Sequence, residues 1–90
     1  MKKMKRSAVL APLRWACRRG MLELDLILER FLDRGFLALA PAEQKLFRAF
    51  LNHFDQDLFA WLVEGRKPPD ARFLPLIKKI QEYNHVPTST

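Results

Sequence analysis

Apolar side chains recur at spacings of three and four residues in five short stretches of this 90-residue chain. Such spacing places them on one face of an α-helix, and that face needs another element to cover it. No stretch shows the alternation of polar and apolar residues that is typical of a strand. Glycines and prolines separate the stretches, so short connections must join the helices. The sequence therefore predicts an all-α fold, a single compact five-helix bundle.

The expected helix boundaries follow from the glycine, proline and capping residues beside each apolar stretch. Gly20 predicts a left-handed end to the first helix, and Gly35 ends the second. Pro41 suits the first position of the third helix, with Glu43 near its third position, although Ala40 is a poor N-cap. The expected helices run from Val9 or Pro12 to Arg18, from Met21 to Asp33, from Pro41, from an N-cap at Asp55, and from Phe73 or Leu74.

The third expected helix carries the clearest apolar stripe, which consists of Leu46, Phe47, Phe50, Leu51 and Phe54. Residues 36–40 form an apolar connector that we expect to pack onto the bundle. The helical domain then spans residues 9–84. We expect a flexible basic arm at residues 1–8 and a frayed tail at residues 85–90.

The net charge of +6 is concentrated at the N-terminal end of the chain. Residues 1–20 hold seven lysines and arginines and no acidic residue, whereas the remainder is nearly neutral. A basic edge around Trp15 permits a small nucleic-acid-binding protein, but the neutral body and the lack of helix-turn-helix spacing disfavour it. No run approaches the roughly 18 apolar residues of a membrane helix, so we expect no membrane insertion. The single cysteine, Cys17, excludes an internal disulfide and fits a reducing compartment.

Residues that could support catalysis are few. Cys17 has no second cysteine at metal-binding spacing, and we interpret it as a small apolar filler on a helix face. His53 lies at the end of a helix, where we expect a charge interaction with the helix C-terminus rather than a metal or proton-transfer site. The sequence has no glycine-rich phosphate loop and no Ser/His/Asp set. We therefore expect no enzyme active site, no metal and no stably bound cofactor.

A polar corner is expected between the first two helices. Two basic residues precede a glycine there and two carboxylates follow it, in the order Arg18, Arg19, Gly20, Met21, Leu22, Glu23, Leu24, Asp25. Cations at the end of one helix and anions at the start of the next are favoured by the helix dipoles, which accounts for the charges. Two apolar residues directly after the glycine are less expected at an exposed corner. A partner-binding site is therefore the second interpretation.

The corner also carries a family resemblance. Arg19-Gly20-Met21-x-Glu23-x-Asp25 resembles the RGMxExD motif, with its RGxxE core, of the small assembly factors for the succinate dehydrogenase flavoprotein. A Trp15-Ala16-Cys17-Arg18 run precedes the motif as it does in that family, and Asp57-Leu58-Phe59-x-Trp61-Leu62 is similar to the family's DLFxWL helix. RGxxE alone is a weak pattern, but its combination with DLFxWL at this spacing is specific. The resemblance covers residues 10–84.

The resemblance implies a function in flavoprotein assembly. Members of this family promote the covalent attachment of FAD to the flavoprotein subunit of succinate dehydrogenase and, in bacteria, of fumarate reductase. Carried over by position, the functional core is Arg19, Gly20 and Glu23, with Met21 and Asp25 beside it. The supporting residues are Arg18, Trp15, Asp57 and Trp61.

The same resemblance predicts a monomer that acts on FAD in its partner and holds no cofactor of its own. Gly20 would let the two backbones approach closely, and Arg19 and Glu23 would form charge-assisted bonds to the partner. We expect such a protein in the cytoplasm of a bacterium, or in the mitochondrial matrix of a eukaryote. An antitoxin-like module that binds another protein is the alternative, because some relatives have been described in that way.

Overall fold

The computed structural model describes residues 6–84, and no β-strand occurs within that range. The described residues form five α-helices and one short 3₁₀ turn, which confirms the predicted all-α bundle. These elements are α1 (Arg6–Ala16), α2 (Leu22–Arg34), the 3₁₀ turn (Phe36–Ala38), α3 (Pro41–Phe50), α4 (Asp55–Leu62) and α5 (Phe73–Tyr83). Residues 1–5 of the expected arm, and all of the expected tail, lie outside the described residues.

Helix α2 lies at the centre of the bundle and packs against α1, α4, α5 and the 3₁₀ turn. Its buried residues follow the three- and four-residue spacing of the sequence, and they are Leu24, Leu28, Phe31 and Leu32. Phenylalanine rings fill the space towards α3, where the centroids of Phe31 and Phe47 are 5.4 Å apart. Each buried ring contributes about 1.5–3 kcal/mol by leaving water, so aromatic packing is a large part of what stabilises so small a domain.

The apolar connector packs onto the bundle as the sequence predicts. Phe36 is fully buried and Leu39 is almost so. The centroids of the Phe36 and Phe47 rings are 5.5 Å apart. The Arg48 guanidinium lies over the Phe36 ring, 5.6 Å from its centroid. The connector therefore extends the aromatic core rather than crossing the surface as an open loop.

Helix α1 begins earlier and ends sooner than the sequence predicts. It starts at Arg6, and so includes residues 6–8 of the expected arm, and Pro12 lies in its interior instead of at its start. Proline removes one helical hydrogen bond, but Pro12 is exposed and its ring stays clear of the packed face formed by Leu10 and Leu13. Burial of those two leucines holds the helix together across the proline.

The start of α4 differs from the prediction by one residue. Asp55 is the first helical residue, and Phe54 occupies the N-cap position. Phe54 is also not part of the α3 stripe, because α3 ends at Phe50 and a turn at residues 51–53 breaks the helical period. As a result, the Phe54 side chain is 76% exposed.

The start of α3 agrees with the prediction. Pro41 is its first residue, and Glu43 Oε1 accepts a hydrogen bond from the backbone N–H of Ala40 at 3.1 Å. Glu43 Oε2 accepts a second bond at 2.6 Å from Lys79 of α5, and that bond lowers the pKa of Glu43. The glutamate thus satisfies the backbone N–H of Ala40, whereas no side chain at the N-cap accepts a bond from the first helical amides. Helix α5 also begins where expected, with its proline in the first turn.

Gly35 ends α2 at a point that has no room for a side chain. A Cβ there would lie 2.7 Å from Phe31 Cε1 and 2.8 Å from Tyr83 Cε2. We expect Gly35→Ala to lower the free energy of unfolding by about 1–2 kcal/mol, because the Phe31 ring is packed and a methyl group overfills the site. Urea unfolding followed by circular dichroism measures this change, and an unaltered unfolding midpoint would contradict the prediction.

Candidate functional site

The corner between α1 and α2 is built around Gly20. Its φ is +85°, the left-handed conformation that the sequence predicts and that residues with a Cβ rarely adopt. A Cβ added to Gly20 would meet no heavy atom within 4 Å. Glycine is therefore favoured here by the backbone conformation, and the space in front of it is open.

The Arg19 side chain points into the bundle and is only 15% exposed. Its Nη1 donates to the carbonyls of Ala16 at 2.8 Å and Leu51 at 2.9 Å. Its Nη2 donates to the carbonyl of His53 at 2.6 Å. Its Nε donates to Asp55 Oδ1 at 2.7 Å. These bonds leave little of the guanidinium for another molecule.

Arg19 therefore joins three helices at one point. Carbonyls at and just beyond the C-terminal ends of α1 and α3 have no helical donor, and the guanidinium supplies one to each. Asp55 adds a carboxylate in the first turn of α4, where the helix dipole favours an anion. The resemblance implies that Arg19 bonds to a partner, but in this structure it holds the corner together.

Asp25 has a similar internal role. Its Oδ1 accepts a hydrogen bond from the backbone N–H of Arg19 at 2.8 Å, and its Oδ2 accepts one from Gly20 at 3.3 Å. The carboxylate lies in the first turn of α2 and reaches back across the turn to fix the two residues before the helix. Arg19 and Asp25 together keep the glycine in its left-handed position.

Glu23 is the motif residue that remains available. It is exposed, and no hydrogen bond or ion pair joins its side chain to another described residue. Leu22 beside it is 76% exposed, whereas Met21 is half-buried and packs against the core. The motif is thus divided: Arg19 and Asp25 form the support, and Gly20, Leu22 and Glu23 form the open face.

The expected supporting residues in α1 and directly after it lie on the surface. Trp15 is 77% exposed, and the Arg18 side chain is 67% exposed with its Nε 3.9 Å from Glu29 Oε2. With Ala11 and Arg14 they line an open cleft of about 390 Å³. Arg14 is paired with an aspartate of α2 at 2.7 Å, so part of the basic edge is neutralised within the fold.

The two expected supporting residues of α4 differ in burial. Asp57 is exposed, whereas Trp61 is 7% exposed and belongs to the core. The Trp61 ring lies 5.9 Å from Phe50 and 5.0 Å from His53, measured between centroids. Most of the DLFxWL pattern therefore serves packing, because Leu58, Trp61 and Leu62 are its buried residues.

The surroundings of His53 and Cys17 indicate structural roles for both residues. Nδ1 of His53 lies 3.0 Å from the Phe50 carbonyl, so the ring contacts the C-terminal end of α3, where the sequence predicts it. Cys17 is fully buried, and burial raises the pKa of its thiol to about 12. A thiol with that pKa stays protonated at neutral pH and is a poor nucleophile. Among the described residues, no group of histidine, cysteine and carboxylate side chains could hold a metal ion.

Sequence reasoning missed Phe54, Asp55 and the carbonyls that Arg19 binds. Phe54 and Asp55 line a depression of about 480 Å³ together with Arg19, Met21 and Gln56. A phenylalanine directly before the two aspartates of a helix start is the signal that could have identified Phe54. The partners of Arg19 had no comparable signal, because backbone carbonyls carry no sequence pattern.

Fold and corner together define a small helical bundle whose open motif lies at one junction between helices. A family model described as flavinator of succinate dehydrogenase matches residues 11–84. The chain belongs to this family. The FAD assembly factor SdhE of Coxiella burnetii is 43% identical over 70 residues, which cover 78% of this chain and 85% of that relative. The protein of the same description from Aliivibrio fischeri is 40% identical over 74 residues, or 82% and 86% of the two chains.

No solved structure was found to match the chain. The helices described between residues 6 and 84 all lack the length and hydropathy needed to span a membrane.

Proposed function

We propose that this chain binds the flavoprotein subunit of succinate dehydrogenase and promotes the covalent attachment of FAD to that subunit. The observation that carries the proposal is the family match over residues 11–84, a segment that includes the whole corner. The corner supplies a docking surface of the required kind, since its open face is Gly20, Leu22 and Glu23 on a support held by Arg19. A rigid turn with one exposed carboxylate suits recognition of another protein.

The open face suggests a role for each of its residues. Gly20 has free space in front of it, so the partner's backbone is able to approach the corner directly. Glu23 has no described partner, and its carboxylate accepts charge-assisted hydrogen bonds from the flavoprotein near its flavin site. Leu22 adds apolar area beside these two contacts. Arg19 and Asp25 act through the geometry of the turn rather than by touching the partner.

Binding of this kind promotes flavin attachment by selecting a conformation. If the chain binds more tightly to the flavoprotein conformation in which flavin and acceptor histidine are aligned, it raises the population of that conformation. The reacting groups then belong to the flavoprotein, and we assign no catalytic or flavin-binding role to residues of this chain. We further propose that it acts as a monomer in the bacterial cytoplasm and also serves the flavoprotein of fumarate reductase.

Glu23→Ala tests the proposal directly. We expect the rate of covalent FAD attachment at limiting factor concentration to fall about 10- to 100-fold, because a hydrogen bond to a charged group is worth about 1.5–3 kcal/mol. The assay mixes purified apo-flavoprotein with FAD and the factor, and records flavin fluorescence of the denatured subunit in a gel.

Glu82→Ala is the matched control for this experiment. Glu82 is also an exposed helical glutamate, on α5, and its side chain has no described hydrogen bond or ion pair. Its removal changes the net charge equally and should leave the attachment rate unaltered. If the wild-type factor does not accelerate attachment over flavoprotein and FAD alone, the proposed function is wrong.

A further inference from the structure

We propose that Phe54 is a second docking anchor, which inserts into an apolar recess of the same flavoprotein subunit. This inference rests on the proposed function. Phe54 belongs to neither of the two motifs that carry the family resemblance. It extends the docking surface from the α1–α2 corner to the start of α4.

Nothing in the fold accounts for a phenylalanine at this position. Its side chain is 76% exposed, so it adds little to the core. It occupies the N-cap of α4 with an extended backbone, φ −68° and ψ 153°, and forms no side-chain cap bond. Serine, threonine, aspartate and asparagine are preferred there because their oxygens accept a bond from the first helical amides. Exposed aromatic rings without a packing role are typical of binding anchors.

The position of Phe54 connects it to the corner. Phe54, Arg19 and Met21 line one depression together with Asp55 and Gln56. Arg19 Nη2 donates a hydrogen bond of 2.6 Å to the carbonyl of His53. This bond holds the backbone directly before Phe54 in place. The phenyl ring is therefore carried on the same support as the open face of the motif, and one partner surface could cover both.

The surroundings of Phe54 indicate what the occupant must provide. The Asp55 side chain is 40% exposed, and among the described residues only Arg19 binds it, through Oδ1. An acceptor oxygen thus belongs to the residue directly after Phe54, and the exposed Gln56 lines the same depression. A complementary surface has an apolar recess for the ring and a hydrogen-bond donor next to it. We assign that surface to the flavoprotein because it continues the contact proposed for Gly20 and Glu23.

Phe54→Ser separates docking from structure, because the two properties should change in opposite directions. We expect the Kd for the apo-flavoprotein to rise about tenfold or more through loss of the anchor. We expect the midpoint of thermal unfolding to rise by about 3 °C, because a serine hydroxyl caps α4 where phenylalanine does not. Calorimetric titration and a thermal melt of the same preparation measure the two quantities.

Leu37→Ser is the matched control. Leu37 is 45% exposed and lies in the 3₁₀ turn that follows α2. Because the corner lies at the other end of α2, the length of this helix separates the two by about 20 Å. This substitution also replaces an exposed apolar residue with serine, and it should leave the Kd unchanged.

An unchanged Kd for Phe54→Ser would overturn the inference. So would a weaker Kd accompanied by a lower unfolding midpoint, which indicates a structural role. Sedimentation of the wild-type chain alone would also overturn it if the protein self-associates and Phe54→Ser abolishes that association. Failure of the proposed function is distinguishable, since it appears as a wild-type factor that does not accelerate FAD attachment at all.

Discussion

Gly20→Arg is expected to abolish covalent FAD attachment while the five-helix bundle remains folded. The space in front of Gly20 is open, so an arginine side chain there meets no atom of this chain within 4 Å of its Cβ. The left-handed conformation costs a residue with a Cβ roughly 1–2 kcal/mol, which a folded domain of this size tolerates. The new side chain instead fills the volume that the partner's backbone must enter.

Gly65→Arg is an unusually close control for that experiment. Gly65 also has a positive φ, +77°, and a Cβ added there also meets nothing within 4 Å. The two variants therefore share the substitution, the added charge and the backbone strain, but Gly65 follows α4 rather than lying in the motif. Both should lose similar stability in a thermal melt, and only Gly20→Arg should lose FAD attachment. Equal attachment by both variants would exclude the corner as the docking site.

Arg19→Met is expected to lower the free energy of unfolding by about 3 kcal/mol. Three carbonyls of the α1 and α3 ends lose their donor, at a cost of about 1 kcal/mol each. The pair with Asp55 adds less, because the Asp55 side chain is 40% exposed and water screens it. For a domain of 60–100 residues this corresponds to a fall of roughly 12–24 °C in the midpoint of thermal unfolding.

Arg18→Met provides the comparison. It removes the same charge from the neighbouring residue, but Arg18 is 67% exposed and approaches Glu29 only to 3.9 Å. We expect a change within about 0.5 kcal/mol, as for most surface substitutions. Urea titration of both variants checks the difference. Equal stability of the two would show that the inward bonds of Arg19 contribute nothing measurable, and Arg19 would then be free to serve as a partner contact.

Local chemistry determined most of the helix plan. Period and turn residues alone predicted the starts of α3 and α5, the buried face of α2 and the left-handed Gly20. These features depend on residues within a few positions of each other, and sequence patterns indicate structure over that range. The errors occurred where a local preference met a longer-range effect. The expected start of the first helix is Val9 or Pro12, yet α1 starts at Arg6 and burial of the neighbouring leucines carries it through Pro12.

The tertiary structure decided which motif residues bond inward and which remain exposed. From the sequence, Arg19 and Glu23 are two charges of equal standing on either side of a glycine. In the fold, Arg19 donates to carbonyls 32 and 34 residues away, at Leu51 and His53, and the Glu23 carboxylate accepts no hydrogen bond from another described residue. Backbone carbonyls are identical at every position, so no pattern of side chains reveals which of them a distant arginine will satisfy. Packing of α3 beside the corner makes Arg19 a support, and leaves Glu23 and Phe54 facing outward.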